Sequence, residues 1–469
     1  MARSFYPVDR DQMLLLPPNI SDWVPDDDIS RFIMDAVDQL DLRPFYQKFK
    51  DGSGQTAYRP EVLLSLLVLA YTHGIHSSRA IESLCVRDIR FRLITANQFP
   101  DHTTIARFRS ANTEQMQSFF EQILKLCAEA GLVKLGMVAL DGTKMKANAA
   151  MESNRTRKEL SELVEQMLKQ AEETDAKEDL EFGADKRGDE LPEDLRSSSS
   201  RKARLRAAKD RLDRAHQALA KADAKARVLI NKYDEKIEKQ QIRKAETGKN
   251  PAGHKLKPPT EDEIDKPKGN LTDPDSEIMK GRHGFTQAHN AQIAVDADTQ
   301  IIVAQTVVTE KNDMFLLTPM INNLRQTLTC VGITDFAQTI AADGGYWTRD
   351  SITTAHQTLE AISGQSNCPE LLVNVPRCWQ KLTHVDDSPP ADNLSLHERI
   401  EYRVRSPQGQ LLYKKRAQSA EPVFGQLKNV RKFDRFSLRG TPKTRAEWAL
   451  LCATHNISKL WAHKVRTKN

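Results

Sequence analysis

Hydrophobic positions in the first 130 residues recur near a helical period, so the chain is expected to open as a set of short helices. Residues 29–40, 60–73, 77–94 and 103–130 each carry apolar side chains every three or four positions. Gly74 closes the second of these, and Pro100-Asp101 opens the last with a cap. The segments RFRLI and IARFRS bring arginines onto these helices, Arg107 and Arg109 among them. Short helices on short connections suit a helix-turn-helix-like DNA-binding unit and a plain bundle equally well.

The pattern changes at 136–146, GMVALDGTKMK. An apolar run leads up to Asp141 and a small, polar tail follows, which predicts a buried strand delivering one carboxylate at its end. From about 152 to 269 aromatic residues almost vanish, and Lys, Glu, Ala, Arg and Asp dominate. Residues 155–178 and 201–246 are expected as long helices. In the second, Leu205, Ala208, Leu212, Ala215, Leu219, Ala222, Ala226, Leu229 and Tyr233 follow a heptad, and Leu160, Leu163, Met167 and Ala171 offer a matching seam. A polar link at 183–200 joins them. The expectation is an antiparallel, coiled-coil-like hairpin inserted into another domain, where it touches DNA, pairs with a second subunit or merely projects.

After 269 the period becomes two. Residues 285–296 and 300–309, joined at 297–299, predict a β-hairpin. Helices are expected at 315–328, 348–359 and 421–430, and strands at 336–342, ending on Asp343, and at 371–376. Without the insertion the order is βββαβαβα. That is the ribonuclease H-like arrangement, an α+β or α/β mixed sheet flanked by helices with its acids at adjacent strand ends. The predicted layout is an all-α region at 1–130, a catalytic domain split into 131–150 and 270–469, and the helical insertion at 151–269.

Composition narrows the class. At 469 residues the chain is too long for one ordinary core, and 28% charged against 39% apolar residues is a soluble profile. No apolar run approaches the roughly 20 residues of a membrane span. The 14–16 leucine run is too short for a signal sequence, and six scattered cysteines without a CxxC pair suit reduced thiols. A cytoplasmic protein with no membrane partner is expected. Net charge is only +5, yet between Lys414 and Lys443 nine Lys/Arg face two acids, Glu421 and Asp434. A basic strip beside an acidic site suits a polyanionic substrate, although most charge runs are solvated helix faces.

Asp141, Asp343 and Glu421 carry the candidate chemistry. Two Mg²⁺ or Mn²⁺ ions serve phosphodiester cleavage by activating the attacking oxygen and neutralising the leaving one, and such hard ions take carboxylate ligands. An aspartate on a rigid strand suits a bridging ligand, and a longer glutamate on a helix reaches across. Taken singly, Asp141-Gly142 and Asp343-Gly344 are turn dipeptides. Two of them after buried-looking strands, with a glutamate in the right later helix, favour the metal site. Tyr346 and Trp347, just past Asp343, suit stacking on an unpaired base or packing beneath the loop. His283 precedes the hairpin's first strand and His289 lies within it, and both are left outside the metal set.

The chain resembles the bacterial insertion-sequence DDE transposases of the IS4-like group, most closely the IS1182 kind. The resemblance rests on YRPEVLLSLLVLAYTHGIHSSRAIE, FPDHTTIARFR, ALDGTKMKANA, DPDSEIMKGRHGFTQAHNAQIAVD, VVTEKNDMFLLTPM, ADGGYW and EPVFGQLK. It implies that Asp141, Asp343 and Glu421 are the DDE triad, holding two Mg²⁺ or Mn²⁺ ions. The group's Y-x2-R-x3-E-x6-K signature falls on Tyr413, Arg416, Glu421 and Lys428, with one residue too many between Arg416 and Glu421. Arg416 and Lys428 then bind phosphates beside the metals, unless they are ordinary surface cations. The expected activity is metal-dependent cleavage and strand transfer of double-stranded DNA, at the element's terminal inverted repeats and in target DNA. Tyr413, Arg416, Lys428, Arg431, Lys432, Trp347, Arg107 and Arg109 are the expected DNA contacts. Pairing of two ends implies a homodimer or higher assembly, in a bacterial cytoplasm on the nucleoid. A stand-alone ribonuclease H-like nuclease and a DNA-binding relative whose catalysis has lapsed are the alternatives.

Overall fold

The computed structural model describes residues 19–47, 57–182, 198–247, 256–281, 284–363, 368–382, 385 and 393–468. Eight strands are present among them: β1 (Met137–Lys146), β2 (Asn154–Thr156), β3 (Lys268–Asn270), β4 (Glu277–Gly281), β5 (Gly284–Asp296), β6 (Ile302–Val308), β7 (Thr339–Ala342) and β8 (Glu370–Val373). The main sheet runs β4–β5–β1–β7–β8, with β6 beside β5, while β2 and β3 form a separate ribbon. β5 pairs antiparallel with β1, whereas β7 and β8 run parallel to it. Such a mixed sheet is compatible with the ribonuclease H-like expectation.

Alternation along the central strands divides two cores. Met145, Ile293 and Val295 point to one face, where they pack with the helices Pro60–Thr72, Thr113–Glu129 and Thr441–Lys468. Val138, Leu140 and Ala294 point to the other, under Leu317–Cys330, Arg349–Ser363 and Leu396–Arg405. Among the described residues the N-terminal helices pack into the same core as β5, β6 and the helix Thr441–Lys468. A buried carboxylate ties them down: Glu447 accepts from the Tyr71 hydroxyl at 2.9 Å and from the Ser437 and Leu438 amides at 2.9 and 3.1 Å. Arg109, itself buried, donates to the same Tyr71 hydroxyl at 2.9 Å and to the His76 carbonyl at 2.8 Å.

Several elements differ from the sequence expectation. The helices expected at 77–94 and 103–130 are each two, broken where Asp88 and Asn112 leave the helical conformation. Asp88 then accepts from the Arg90 amide as the cap of the next helix. β1 does not stop at Asp141 but continues to Lys146, because β5 offers a partner as far as Ala288. The helix expected to begin at 421 begins at Pro407, and Leu396–Arg405 and Thr441–Lys468 were not expected as helices.

The insertion is two helices, Arg157–Phe182 and Ser198–Thr247. Its buried seam is narrow, with Leu160 and Val164 against Ala215, Ala218, Ala222 and Ala226, while Leu229 of the expected heptad is exposed. Gly269 of β3 lies so close to Ala218 that a side chain there would overlap the helix backbone. Arg157 bonds Asp223 at 2.6 Å and Asp265 at 2.8 Å, and Lys225 reaches Glu277 at 2.6 Å, so the base of the arm is tied to the sheet edge. Most of the link at 183–200, together with His283, lies outside the described residues. Among the described residues no helix is long and apolar enough to cross a membrane.

Candidate active site

The parallel pairing of β1 with β7 ends at Leu140 opposite Ala342. The next residue on each strand is Asp141 and Asp343, so register alone delivers the two carboxylates side by side at one end of the sheet. Both keep their turn chemistry as well. The Asp141 Oδ1 accepts from the Gly142 amide at 2.8 Å and the Asp343 Oδ1 from the Gly344 amide at 2.7 Å, where Asp343 caps a 3-10 turn. The turn reading therefore holds for both dipeptides, and strand register sets their carboxylates at the same end of the sheet.

The helix Pro407–Gly425 crosses this end. Its Arg416 donates to Asp141 Oδ2 at 3.4 Å, and the Tyr413 hydroxyl donates to Asp343 Oδ1 at 3.4 Å. The Arg416 guanidinium also lies 5.2 Å from the centre of the Tyr413 ring, which fixes it from the side. Arg416 and Asp141 are 8% and 19% exposed, so this is a shielded pair rather than a surface one. Burial pulls Arg416 down, but Tyr413, Asp141 and Asp343 outweigh it and hold it above its ordinary value. Burial pushes Tyr413 up to about 12, so its hydroxyl stays a donor. Past the helix end, within the π-turn Gln426–Val430, Lys428 donates to the Thr143 hydroxyl and, at 3.2 Å, to the Lys144 carbonyl of β1.

Asp141 is pushed up to about 6, chiefly by burial; Arg416 and the Gly142 amide oppose this, and the Asp343 and Asp313 charges add to it. The attraction of one arginine therefore does not offset burial and the neighbouring acids at Asp141. Hard oxygen donors with unneutralised charge fit a divalent cation. The fit is of a pair and not a closed shell. Glu421 is exposed and makes no hydrogen bond or ion pair among the described residues, and no three acidic or metal-ligating side chains there converge on one point.

The other expected contacts divide. Arg107 and Lys432 are exposed. Arg109, Arg431 and Trp347 are not available to DNA in this conformation, because each is buried and committed within the protein. Arg109 serves the Tyr71–Glu447 network. Arg431, lowered to about 10 by burial, donates to Ser458 at 2.8 Å and to the Thr454 carbonyl at 3.4 Å. Trp347 and Tyr346 pack in the second core, which settles stacking against packing in favour of packing. His289 is buried and bonded to Asp273 at 3.0 Å, a structural pair. With Arg416 and Arg431 inside and Lys415 bonded to Asp298, the basic strip is not one continuous face.

Sequence reasoning missed Asp313. Its Oδ1 accepts from Asn290 at 2.7 Å, Gln292 at 2.9 Å and Lys144 at 3.4 Å, beside both aspartates. Its signal was the Asn-Asp before a helix, which reads as a cap.

Two family models match the chain. One, a transposase domain, covers residues 18–111, and the other, a transposase DDE domain, covers residues 376–461. The second includes Tyr413, Arg416, Glu421 and Lys428; the two aspartates lie between the matched segments. No curated protein and no solved structure matches. The paired domains are the IS1182-type architecture and support a DDE insertion-sequence transposase.

Proposed function

We propose that the chain binds the terminal inverted repeats of its own element and cuts and joins DNA strands with a divalent metal, from a ribonuclease H-like domain. The observation that carries this reading is the emergence of Asp141 and Asp343 from register-matched parallel strands beneath a helix bearing Tyr413, Arg416 and Glu421. Asp141, Asp343 and Glu421 would hold the ions, Mg²⁺ or Mn²⁺. Bound there, such ions activate water toward a phosphodiester and neutralise the leaving oxygen.

The chain's own residues prepare that chemistry. Tyr413, protonated throughout the working range, fixes the Asp343 carboxylate by donating to it. Arg416 balances Asp141 while no other cation is near, and its charge is placed for a phosphate drawn in beside the aspartates. Lys428, held against β1, adds a second positive charge on the same side. Exposed Arg107 and Lys432 are placed to meet DNA backbone away from the centre. Two element ends must meet, so a dimer or larger assembly is part of this reading, acting in the bacterial cytoplasm on chromosomal DNA.

The test is cleavage of a labelled duplex carrying the element's terminal repeat, with Mg²⁺ or EDTA, by wild type and Asp343→Ala. Metal-dependent nicking at the repeat boundary, lost in the variant while DNA binding persists, supports the reading. The disengaged Glu421 favours a second reading, a DNA-binding relative without catalysis. Binding without any cut, even with Mn²⁺ and paired ends, selects it.

A further inference from the structure

On the sheet face opposite Arg416, Asp313 is held by three donors, all on Oδ1: Asn290, Gln292 and Lys144. Two of the three are buried side chains of β5, and Gln292 in turn accepts from the buried Tyr346 hydroxyl in the turn that follows Asp343. The network therefore links Asp313 to the Asp343 turn through side chains that have little freedom to move. Among the described residues no hydrogen-bond donor serves Asp313 Oδ2, and none serves Asp343 Oδ2.

These two open oxygens face one place. A Cβ built on Gly345 would lie 3.8 Å from Asp313 Oδ2 and 3.9 Å from Asp343 Oδ2. Gly142 makes the neighbouring room, since a Cβ there would overlap the Gln292 amide and approach Asp313 Oδ1 to 3.1 Å. Among the described residues Lys144 is the only cation paired with Asp313, at 3.4 Å, and both groups are about a fifth exposed, so the space is open to water. We propose that Asp313 is a fourth carboxylate of the centre, a positioning residue whose free oxygen takes, together with Asp343, the water shell of a divalent cation beside Gly345. The inference rests on the catalytic reading above and extends it to a residue outside the triad. The charge that Asp313 adds to Asp141 places it electrostatically in the same centre. Outer-shell partners of this kind are worth about 10- to 100-fold in metal affinity.

The test is Mn²⁺ titration of the full chain without DNA, by calorimetry and electron paramagnetic resonance, with thermal unfolding in EDTA alongside. Asp313→Asn keeps an oxygen for the Asn290 and Gln292 donors and removes the charge. It should weaken Mn²⁺ about tenfold or more with little change in the metal-free unfolding temperature. Gly345→Ala, at an exposed site with ordinary contact distances, should weaken Mn²⁺ by filling the space. Lys144→Met should leave the affinity unchanged or tighten it. Unchanged affinity in Asp313→Asn, with binding lost in Asp343→Ala, overturns this proposal alone. Equal losses in Asp313→Asn and Lys144→Met also overturn it, showing Asp313 to be only the lysine's counterion. Binding that survives Asp343→Ala overturns the catalytic reading itself.

Discussion

Asp141→Asn should stabilise the metal-free protein, although it removes a buried ion-pair partner. The carboxyl is pushed up from its ordinary 3.8 to about 6, and that shift already includes the attraction of Arg416. About two units at 1.36 kcal/mol each make roughly 3 kcal/mol. A raised acid binds its proton more tightly in the folded state, so its contribution is favourable at low pH. That contribution is lost as pH rises from about 4 through 6, and above this the fold carries the full cost of the buried charge. Asparagine has no charge to ionise and keeps an oxygen for the Gly142 amide. Urea unfolding in EDTA should show the variant more stable by up to about 3 kcal/mol at pH 8, with the gain shrinking toward zero near pH 4. Adding Mn²⁺ at pH 8 should raise wild-type stability and leave the variant unmoved. A variant no more stable than wild type at pH 8, or a gain that ignores pH, refutes the reasoning.

Arg107→Ala and Arg109→Ala, neighbours in one helix, should separate cleanly. The first weakens DNA binding in a gel shift at unchanged stability. The second leaves Tyr71 and Glu447 without their cation and lowers stability by about 3–5 kcal/mol in denaturant titration. Asp296 is buried and accepts from the Lys134, Leu135, Asp298 and Thr299 amides, so Asp296→Asn sets an NH2 against donors and should cost about 2–4 kcal/mol by thermal unfolding. Gly142→Ala should lower end cleavage more than it lowers DNA affinity, since a methyl there displaces Gln292 from beneath the two aspartates.

The placement of the two aspartates was legible because it depends on short-range pattern. An apolar run followed by Asp-Gly marked the end of β7 at Asp343, and in β1 it marked the point where pairing with β7 stops, one residue before Asp141. The hairpin of β5 and β6 showed for the same reason. What escaped depends on partners far along the chain. β1 runs past Asp141 only because β5 is there to pair with it, and no local signal in GTKMK announces that. Arg109 and Arg431 look like surface cations until Tyr71, Glu447 and Ser458 arrive from elsewhere. The helix from Pro407 buries Gly409, Arg416 and Ser419 alongside Ala420 and Val423, so no apolar stripe announces it. Asp313 escaped because its value lies in Gly142 and Gly345, glycines that leave room and give no sign of what fills it.

The central claim is that Asp141, Asp343 and Glu421 form one divalent-metal centre, and Glu421 is the member that stands apart in the metal-free fold. Fe²⁺ taken up in place of Mg²⁺, with ascorbate and peroxide, generates hydroxyl radicals that cut the backbone near the ion. Mapping the fragments of the full chain bound to its terminal-repeat duplex tests the claim directly. Cuts beside residues 141, 343 and 421 together, suppressed by excess Mg²⁺ and absent in Asp343→Ala, are the predicted result. Cuts at 141 and 343 without 421, or a pattern that Asp343→Ala leaves intact, would contradict it.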